Sequence, residues 1–323
     1  MVPGNVVRST LATGVSAVEY CEGSNRPPEA TPLIEFGIAS SLTAKRFVLR
    51  NDEILLRRSL LKIIACIKQV PDSEAKVKAV PQGDDKGWQV TWGDAPLVIN
   101  PFDEYAVEGA LQQKEANSGS TVTALCIGPE SAKEALKHAL AMGADDAILV
   151  SDPTLNELDT VGAARVLAAA IQKIGGVDMV VFGRQTLDNG AGLTPAQTAR
   201  VLGWPMLGLA GQIKVQDGRV TVDRVIEEGR QTVSAKLPAV LSVVQSIGEP
   251  RYPSFMGIRK ASKATIPVWS LGDLGMSAPE SIVKRTELLN PPVRESAVEI
   301  ITGQSPAEIA DKLADKILAE KIL

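Results

Sequence analysis

Five short apolar runs alternate with helical patterns between residues 61 and 244, and this alternation constrains the fold more than any other feature of the sequence. Short runs rich in Val, Ile and Leu are typical of strands buried on both faces of a parallel sheet. Strands and helices that alternate predict an α/β fold with a doubly wound, mostly parallel sheet of the Rossmann-like type. The predicted strands are 61–67, 121–127, 147–150, 179–182 and 239–244, and the predicted helices are 103–115, 131–142, 161–173 and 195–202.

Two attachments to this sheet are predicted. Residues 212–226, QIKVQDGRVTVDRVI, read as a β-hairpin insertion around an Asp217-Gly218 turn. The alternation stops after Pro250, where repeated prolines predict an extended C-terminal arm.

The arm ends in SPAEIADKLADKIL, which predicts an amphipathic helix. Ser305 is its expected N-cap, Pro306 suits the first helical position, and Glu308 completes a capping box. Its apolar face must dock, either on the same domain or on a partner. The apolar residues recur every four positions at Ile309, Leu313 and Ile317.

Residues 1–60 do not share the pattern of the rest of the chain. They contain scattered prolines and six acidic residues, and they lack the basic start and apolar core of a secretory signal. We expect a disordered or loosely docked extension, or a segment that is not translated natively because translation begins at Leu61.

Composition excludes several classes of protein. The 323 residues carry 34 Lys and Arg against 38 Asp and Glu, a net charge of −4 that gives no overall attraction to nucleic acid or to an anionic membrane surface. No apolar stretch approaches the ~20 residues that cross a bilayer. We therefore expect neither nucleic-acid binding nor membrane insertion.

The three cysteines and the single histidine predict no metal site, disulfide framework or hydrolase. Cys21, Cys66 and Cys126 are far apart and form no CxxC pair, which indicates a reducing compartment. His138 lies in a helical pattern, where a surface position is the ordinary interpretation. We expect a cytoplasmic location in a bacterium, or the mitochondrial matrix if the source is eukaryotic.

A loop rich in glycine follows the predicted strand 179–182 and leads into the helix 195–202. Gly190 and Gly192 allow a positive φ or the close approach of a ligand, and Thr194 and Pro195 read as the N-cap and first residue of the helix. Free amides and the positive end of a helix favour phosphate. The loop has neither a GxGxxG nor a GK[ST] sequence, so an ordinary strand-to-helix turn stays open.

A second helix start lies at INPFDEY. Asn100 is its expected N-cap, Pro101 its first residue, and Asp103 lies in its first turn. Cys66 and Ile127 end their strands, and ligands of open α/β sheets gather at the carboxyl ends of the strands. The alternative for these residues is simple packing.

The stretch 248–264, GEPRYPSFMGIRKASKA, mixes basic and aromatic residues. An exposed aromatic with a basic rim suits docking on an acidic protein surface. A solvated loop without a partner is the alternative.

These stretches together resemble the beta subunit of electron transfer flavoprotein. The most specific is VDRVIEEGRQTVSAKLPAVLS, residues 222–242, and four others follow in the family's order: INPFDEYAVE, ALAMGADDAILV, GRQTLDNG…LGWP and EPRYPSFMGIRKA. The resemblance covers residues 61–323 and leaves residues 1–60 without a counterpart.

The resemblance implies a heterodimer with an alpha subunit that holds most of a redox-active FAD. The complex would take electrons from acyl-CoA or related dehydrogenases, pass them to a quinone reductase or another acceptor, and have no catalytic reaction in this subunit. The implied partner-docking residues are Phe255, Tyr252 and Arg259. The implied nucleotide site comprises Cys66, Asn100, Pro101, Phe102, Asp103, Ile127, Asp188, Asn189, Gly190, Ala191, Gly192, Leu193, Thr194, Pro195, Ala196, Gln197, Thr198 and Ala199.

The nucleotide that this site would hold is AMP in many members and a second FAD in electron-bifurcating ones. Bifurcating members tend to read Asp-Gly-Asp-Thr where this chain has residues 188–191, Asp-Asn-Gly-Ala, and this difference favours AMP. The alternative function is a stand-alone nucleotide-binding α/β protein, a sensor or an ATP-using enzyme. The expected domains are residues 1–60, the α/β domain 61–247, a partner-recognition loop 248–264, and the arm and helix 265–323 docking on the alpha subunit.

Overall fold

The residues that the structure describes fall into two units. The structure, a computed structural model, describes residues 60–81, 88–155, 158–283, 288–290, 292 and 298–320, so the predicted extension lies outside the described residues except for Leu60. The first unit comprises residues up to 76 together with 92–285, and the second comprises residues 77–91 with 286–323.

A nine-stranded sheet dominates the first unit, and it confirms the predicted α/β fold. Its order is β11-β10-β9-β12-β8-β1-β6-β7-β13. In this spatial order, each strand from β9 onwards (β9, β12, β8, β1, β6, β7 and β13) pairs parallel with the next. Strand β10 pairs antiparallel with both β9 and β11. The strands are β1 (Lys62–Ile67), β6 (Thr121–Ile127), β7 (Asp146–Val150), β8 (Met179–Gly183), β9 (Met206–Gln216), β10 (Arg219–Ile226), β11 (Gly229–Lys236), β12 (Ala239–Val243) and β13 (Val268–Trp269).

The short strands β2 (Gln69–Pro71) and β5 (Leu97–Ile99), which follow β1 in the chain, form a separate antiparallel pair.

Helices cover both faces of the nine-stranded sheet. The helices of this unit are α1 (Pro101–Ala116), α2 (Lys133–Met142), α3 (Thr160–Ile174), α4 (Thr194–Leu202) and α5 (Phe255–Ser262). The four predicted helices are α1 to α4, with bounds that differ by one or two residues from the prediction.

The alternation of side chains along β1 divides the core between the two faces. Ile63 and Ala65 pack on one face with α1 and α2, and Ile64 and Cys66 pack on the other with α3 and α4. All four are buried. Burial on both faces explains why these strands read as continuous apolar runs.

The predicted hairpin is one part of a larger antiparallel extension. Asp217 and Gly218 have φ of 51° and 71°, the left-handed conformation that a tight hairpin turn requires. The prediction omitted β11, which adds a third strand to the hairpin.

The chain reverses its direction of travel across the sheet beside β1. From β1 it passes through α1 to β6 and β7, and α3 then returns it to β8 on the opposite side of β1. The carboxyl ends of β1 and β8 are therefore adjacent at a topological switch point, where ligands of open α/β sheets bind.

The second unit contains a two-stranded pair and the C-terminal helix. Strand β3 (Lys78–Pro81) pairs antiparallel with β4 (Trp88–Thr91), and Asn290 holds β3 through hydrogen bonds with both backbone groups of Ala79.

The predicted terminal helix is α6 (Pro306–Ala319). The Ser305 hydroxyl caps it by accepting a hydrogen bond from the Glu308 nitrogen. The Glu308 carboxylate accepts from the Gln304 nitrogen, one residue before the position that a capping box predicts. The face that carries Ile309, Leu313 and Ile317 is exposed to solvent.

Residues 248–264 contain a helix where the sequence predicts a loop. Ser254 caps α5 by accepting from the Gly257 nitrogen at 2.9 Å. The sequence did not predict this two-turn helix because prolines at 250 and 253 and a glycine at 257 are typical of a loop.

Among the described helices, none has the length and apolar character of a membrane span.

Candidate functional site

Asp103 joins the ends of β1 and β8 at the switch point. Its Oδ2 accepts a hydrogen bond from the Lys68 nitrogen at 2.8 Å, and its carboxylate also accepts from the Gly183 nitrogen. The Asn100 nitrogen donates to the Lys68 oxygen at 2.8 Å. The first turn of α1 is thus fixed against the carboxyl end of the sheet. We call the region formed by residues 66–68, 100–103, 183–193 and 194–199 the crevice.

Gly183 is required by the close approach of α1. A Cβ at this position would come within 2.5 Å of both Asp103 Oδ1 and the Phe102 oxygen. Only glycine accommodates this contact, so strand β8 can end directly against the start of α1.

The environment of Asp103 changes its ionisation. Burial raises the pKa of the Asp103 carboxyl to about 7, although hydrogen bonds from Asn100, Lys68 and Gly183 favour the charged form. The same burial, with the nearby Asp103 charge, raises the pKa of the Cys66 thiol. Neither Cys66 nor Cys126 forms a disulfide, and both are buried.

Asn100 holds the glycine-bearing loop rather than capping α1 with its side chain. It occupies the N-cap position, as predicted, but makes no side-chain cap hydrogen bond. Instead its Nδ2 donates to the Gln185 oxygen at 2.9 Å, and its Oδ1 accepts from the Leu187 nitrogen at 3.0 Å. The predicted capping role is wrong because the side chain bonds across to the loop.

Internal hydrogen bonds shape the loop between β8 and α4. Asn189 Oδ1 accepts from the Thr186 hydroxyl at 2.8 Å and from the Ala191 nitrogen at 3.2 Å. Gly190 and Gly192 both have φ of +63°, as their predicted role requires. The loop is therefore a fixed turn whose glycines leave its backbone uncovered.

An ion pair joins this loop to the end of β1. Lys68 Nζ lies 2.5 Å from Asp188 Oδ2. Burial opposes ionisation of Asp188, but hydrogen bonds from Lys68 and Thr186 and the Lys68 charge outweigh it and hold the pKa of Asp188 below its ordinary value. Sequence reasoning did not single out Lys68, although its position directly after a switch-point strand was a signal that could have found it.

The helix after the loop begins one residue earlier than predicted. Leu193 is its N-cap, so Thr194 is the first helical residue and Pro195 the second. The predicted cap by Thr194 is therefore wrong, and α4 makes no side-chain cap hydrogen bond. Leu193 and Ala196 are exposed beside the loop, whereas Pro195 and Ala199 pack into the core.

Two polar atoms of α4 are buried without a hydrogen-bond partner in the described structure. They are Thr198 Oγ1, on a side chain with no exposed surface, and Gln197 Oε1. Buried polar groups are rarely left unpaired, because each costs about 1–3 kcal/mol. Unsatisfied atoms beside an open loop are a feature that a bound polar ligand would explain.

The remaining predicted residues lie at the ends of neighbouring strands or in the first turn of α1. Ile127 ends β6 next to β1 and is half-buried, Phe102 is half-buried, and Pro101 is exposed. The crevice thus combines a fixed loop, a helix start, one buried carboxyl and two unpaired polar atoms. This donor and acceptor set fits a polar ligand that carries a phosphate.

A second candidate region surrounds α5. Tyr252 and Phe255 expose 95% and 80% of their surface, and Met256 and Arg259 are also exposed. We call these four residues the α5 surface. Arg259, Lys260 and Lys263 form no ion pair within the described residues. Large exposed aromatics with a cationic rim are typical of a protein-docking surface.

His138 and the acidic residues form no metal site in the described part of the chain. His138 lies on α2, as predicted, and its Nε2 is 3.0 Å from Glu104 Oε1. No group of three or more His, Cys, Asp or Glu residues could hold a metal ion among the described residues.

Comparisons with known proteins agree with the resemblance seen in the sequence. A family model for the electron transfer flavoprotein domain matches residues 88–274. The chain is 35% identical over 269 residues to the caffeyl-CoA reductase-Etf complex subunit CarD of Acetobacterium woodii, which covers 81% of this chain and all of that protein. It is 34% identical over 275 residues to the electron transfer flavoprotein subunit beta of Megasphaera elsdenii, and 35% identical over 272 residues to that of Mycobacterium leprae. Both alignments cover all of the relative, with 81% and 82% of this chain.

Proposed function

The chain belongs to the electron transfer flavoprotein beta subunit family, and from this premise we propose that it binds an adenine nucleotide in the crevice and docks dehydrogenases through α5. Members of this family pair with an alpha subunit and carry electrons by means of a flavin. In our proposal this subunit contributes binding and orientation and has no catalytic reaction of its own.

The unpaired buried atoms of α4 are the observation that carries the proposed nucleotide site. Thr198 Oγ1 and Gln197 Oε1 lie in the helix that follows the fixed loop. The amides of residues 192–194 would hold the phosphate, and the Asn100 side chain would keep the loop in position through its bonds to Gln185 and Leu187.

Charge in the crevice bears on phosphate binding. The Lys68 ammonium neutralises Asp188, so the loop does not present an isolated negative charge to a phosphate. We propose AMP as the nucleotide because residues 188–191, Asp-Asn-Gly-Ala, differ from the sequence of bifurcating members, and a second FAD in its place is the alternative.

Electron carriage needs a redox-active group beyond the side chains of this chain. A flavin supplies the chemistry of accepting and donating electrons, while the protein supplies binding and electrostatics. We propose that this FAD is shared with the alpha subunit, as in the family, and that electrons pass to a quinone reductase or another acceptor.

The α5 surface supports a proposed docking role. An acyl-CoA dehydrogenase or a related enzyme is the donor class that the family implies, and the name of the Acetobacterium woodii relative includes a caffeyl-CoA reductase. Phe255 and Tyr252 would enter the partner surface, and Arg259 would pair with its carboxylates.

The terminal helix supports pairing with the alpha subunit. The face of α6 that carries Ile309, Leu313 and Ile317 is exposed, and an amphipathic helix gains most of its stability from packing of that face. We propose that the arm, residues 265–323, docks on the alpha subunit.

A stand-alone nucleotide-binding protein, a sensor or an ATP-using enzyme, is the second candidate. It would need groups for a triphosphate and its metal, and the described residues contain no carboxylate cluster suited to a metal ion. We place the proposed complex in the bacterial cytoplasm, because free buried cysteines suit a reducing compartment.

The test is to produce this chain together with its alpha subunit, purify the complex, and identify and count the released nucleotides by mass spectrometry. One FAD and one AMP per heterodimer are expected. Two FAD and no AMP would identify a bifurcating type, and a stable chain that forms no heterodimer would favour the second candidate.

A further inference from the structure

Arg251 lies within the basic and aromatic stretch, but its half-buried guanidinium contacts two carboxylates of α1, the buried Glu108 and the exposed Glu115. Its Nε is 2.8 Å from Glu108 Oε2 and its Nη2 is 2.9 Å from Glu108 Oε1, a bidentate pair. Its Nη1 is 2.5 Å from Glu115 Oε1. The Arg251 backbone nitrogen also donates to Glu108 at 3.2 Å.

Glu108 is the buried half of this pair. Only 5% of its surface is exposed, and Arg251 is the one cation paired with it among the described residues. Burial opposes ionisation of Glu108, but the hydrogen bonds and charge of Arg251 outweigh it and hold the pKa of Glu108 below its ordinary value. The Gln112 amide also holds the Glu108 carboxylate in position, since it donates to Glu108 Oε1 and to the Ile247 oxygen.

Helix α5 packs against α2. It is two turns long, too short to be stable alone, and Ala261 is its one buried residue. At Gly257 it passes so close to α2 that a Cβ would lie 2.3 Å from the Ala141 oxygen. Arg251 therefore fixes residues 251–254, which lead into α5 and which we call the stem, and packing on α2 around Gly257 fixes the helix itself.

We propose that Arg251 is a positioning residue for partner docking: by clamping the stem of α5 to Glu108 and Glu115, it orients the α5 surface before the partner arrives. This inference rests on the proposed function and deepens it. Among the cations of the stretch, Arg251 is already paired within this chain, whereas Arg259, Lys260 and Lys263 are left for a partner. A preformed surface avoids the entropy cost of ordering a loop on binding.

The experiment uses the heterodimer with wild-type chain, Arg251→Gln, Arg251→Lys and Arg219→Gln. Arg219 is the matched control because it is an exposed arginine of the antiparallel extension, bonded to Ser234. The electron donor is a medium-chain acyl-CoA dehydrogenase reduced by octanoyl-CoA. Two readouts are taken: KM and kcat for reduction of the heterodimer, and amide hydrogen exchange of residues 252–262.

For Arg251→Gln we expect KM to rise about tenfold or more while kcat and FAD content stay within about twofold of wild type, because an unpaired buried carboxylate releases the stem. Amide exchange in residues 252–262 should accelerate about tenfold or more, with exchange in α3 unchanged. For Arg251→Lys we expect KM and amide exchange to lie between those of the wild type and Arg251→Gln, since lysine keeps the charge but cannot form the bidentate pair. Arg219→Gln should match the wild type.

A wild-type KM together with wild-type exchange in Arg251→Gln would overturn the proposal. So would a fall in kcat that accompanies loss of FAD, because that indicates a general structural role. If the glutamine variant yields no heterodimer, the lysine variant decides by the same readouts. If the wild-type heterodimer accepts no electrons from this donor, the proposed docking function fails there, while the exchange comparison still decides whether Arg251 positions α5.

Discussion

Asp103 Oδ2 accepts a hydrogen bond from the Lys68 nitrogen at 2.8 Å, so that a carboxyl in the first turn of α1 fixes the end of β1. The same carboxyl is bonded to Gly183 at the end of β8. One acidic side chain thereby links the two strands between which the proposed nucleotide site opens. Its raised pKa makes this link dependent on pH.

Asp103→Asn should remove part of the pH dependence of stability. The folded-state pKa of about 7 lies above the ordinary 3.8, so between these values the native state binds more protons than the unfolded state, and stability falls as pH rises. The difference corresponds to on the order of 4 kcal/mol. Urea unfolding at pH 5, 6, 7 and 8 should give a free energy of unfolding that falls less steeply with pH in the variant.

Asp152→Asn is the control for that measurement. Hydrogen bonds from Thr154 hold the pKa of Asp152 below its ordinary value, so its removal should leave the slope between pH 5 and 8 unchanged. If the free energy of unfolding had the same slope against pH in the wild type and in Asp103→Asn, the raised pKa of Asp103 would be contradicted.

Gly183→Ala should destabilise the fold by about 1–3 kcal/mol through overpacking. The added Cβ would lie 2.5 Å from Asp103 Oδ1 and the Phe102 oxygen, so the start of α1 must shift. Gly272→Ala is the control, since the atom nearest to its added Cβ, Ser270 Oγ, would be 3.6 Å away. Thermal unfolding of the two variants checks the prediction, which equal midpoints would refute.

Thr198→Val should have opposite effects in the free and loaded protein. Without nucleotide, the nearly isosteric valine removes an unpaired buried hydroxyl and should stabilise the chain by about 1 kcal/mol. In the heterodimer the same change should lower nucleotide retention, because the hydroxyl can no longer bond the ligand. Thermal unfolding and nucleotide counting measure the two effects.

Thr232→Val is the matched change for this pair of measurements. Its hydroxyl already donates to Asp223 at 2.7 Å in the antiparallel extension, so nucleotide content should stay at the wild-type value. Unchanged stability together with unchanged retention in Thr198→Val would argue against the nucleotide site.

Gly192→Val should lower the nucleotide content of the purified heterodimer. Gly192 has φ of +63°, and its Cβ would approach the Arg184 oxygen to 3.2 Å, so valine both strains the loop and covers its backbone. Gly218→Val has similar strain at φ of +71° in a turn with no atom within 4 Å, and it should keep its nucleotide. Equal stoichiometry in both variants would remove Gly192 from the site.

Phe255→Ala should slow reduction by a dehydrogenase without loss of flavin. Truncating an exposed aromatic anchor of an interface typically costs about 2 kcal/mol, or roughly thirtyfold in KM. Val225→Ala, a change at another exposed apolar residue, should leave KM unchanged. Steady-state reduction with a series of dehydrogenase concentrations provides the measurement, and loss of flavin from Phe255→Ala would mark the residue as structural.

The central sheet and four helices could be predicted from the sequence because their signals are local. The Val-rich run at 179–182 and the Asp217-Gly218 turn each specify their own conformation over a few residues. Strands β2, β5 and β13 were missed because segments of two or three residues carry no measurable periodicity. Helix α5 was missed because its flanking prolines read as loop.

Much of the candidate site depended on contacts between distant residues. The sequence correctly marked Gly190 and Gly192 for positive φ, a local property. It assigned Asn100 and Thr194 to capping, whereas Asn100 bonds to a loop 85 residues away and α4 starts one residue earlier. The pairing of Arg251 with Glu108, 143 residues apart, leaves no trace in either segment.

The ends of the nine-stranded sheet have a consequence for the chain before assembly. At one end β13 is two residues long, and at the other the exposed strand β11 carries Arg230 and Lys236. A very short edge and a charged edge are both poor templates for the addition of another strand. A newly synthesised subunit that has not yet assembled therefore has little tendency to aggregate through the edges of its sheet.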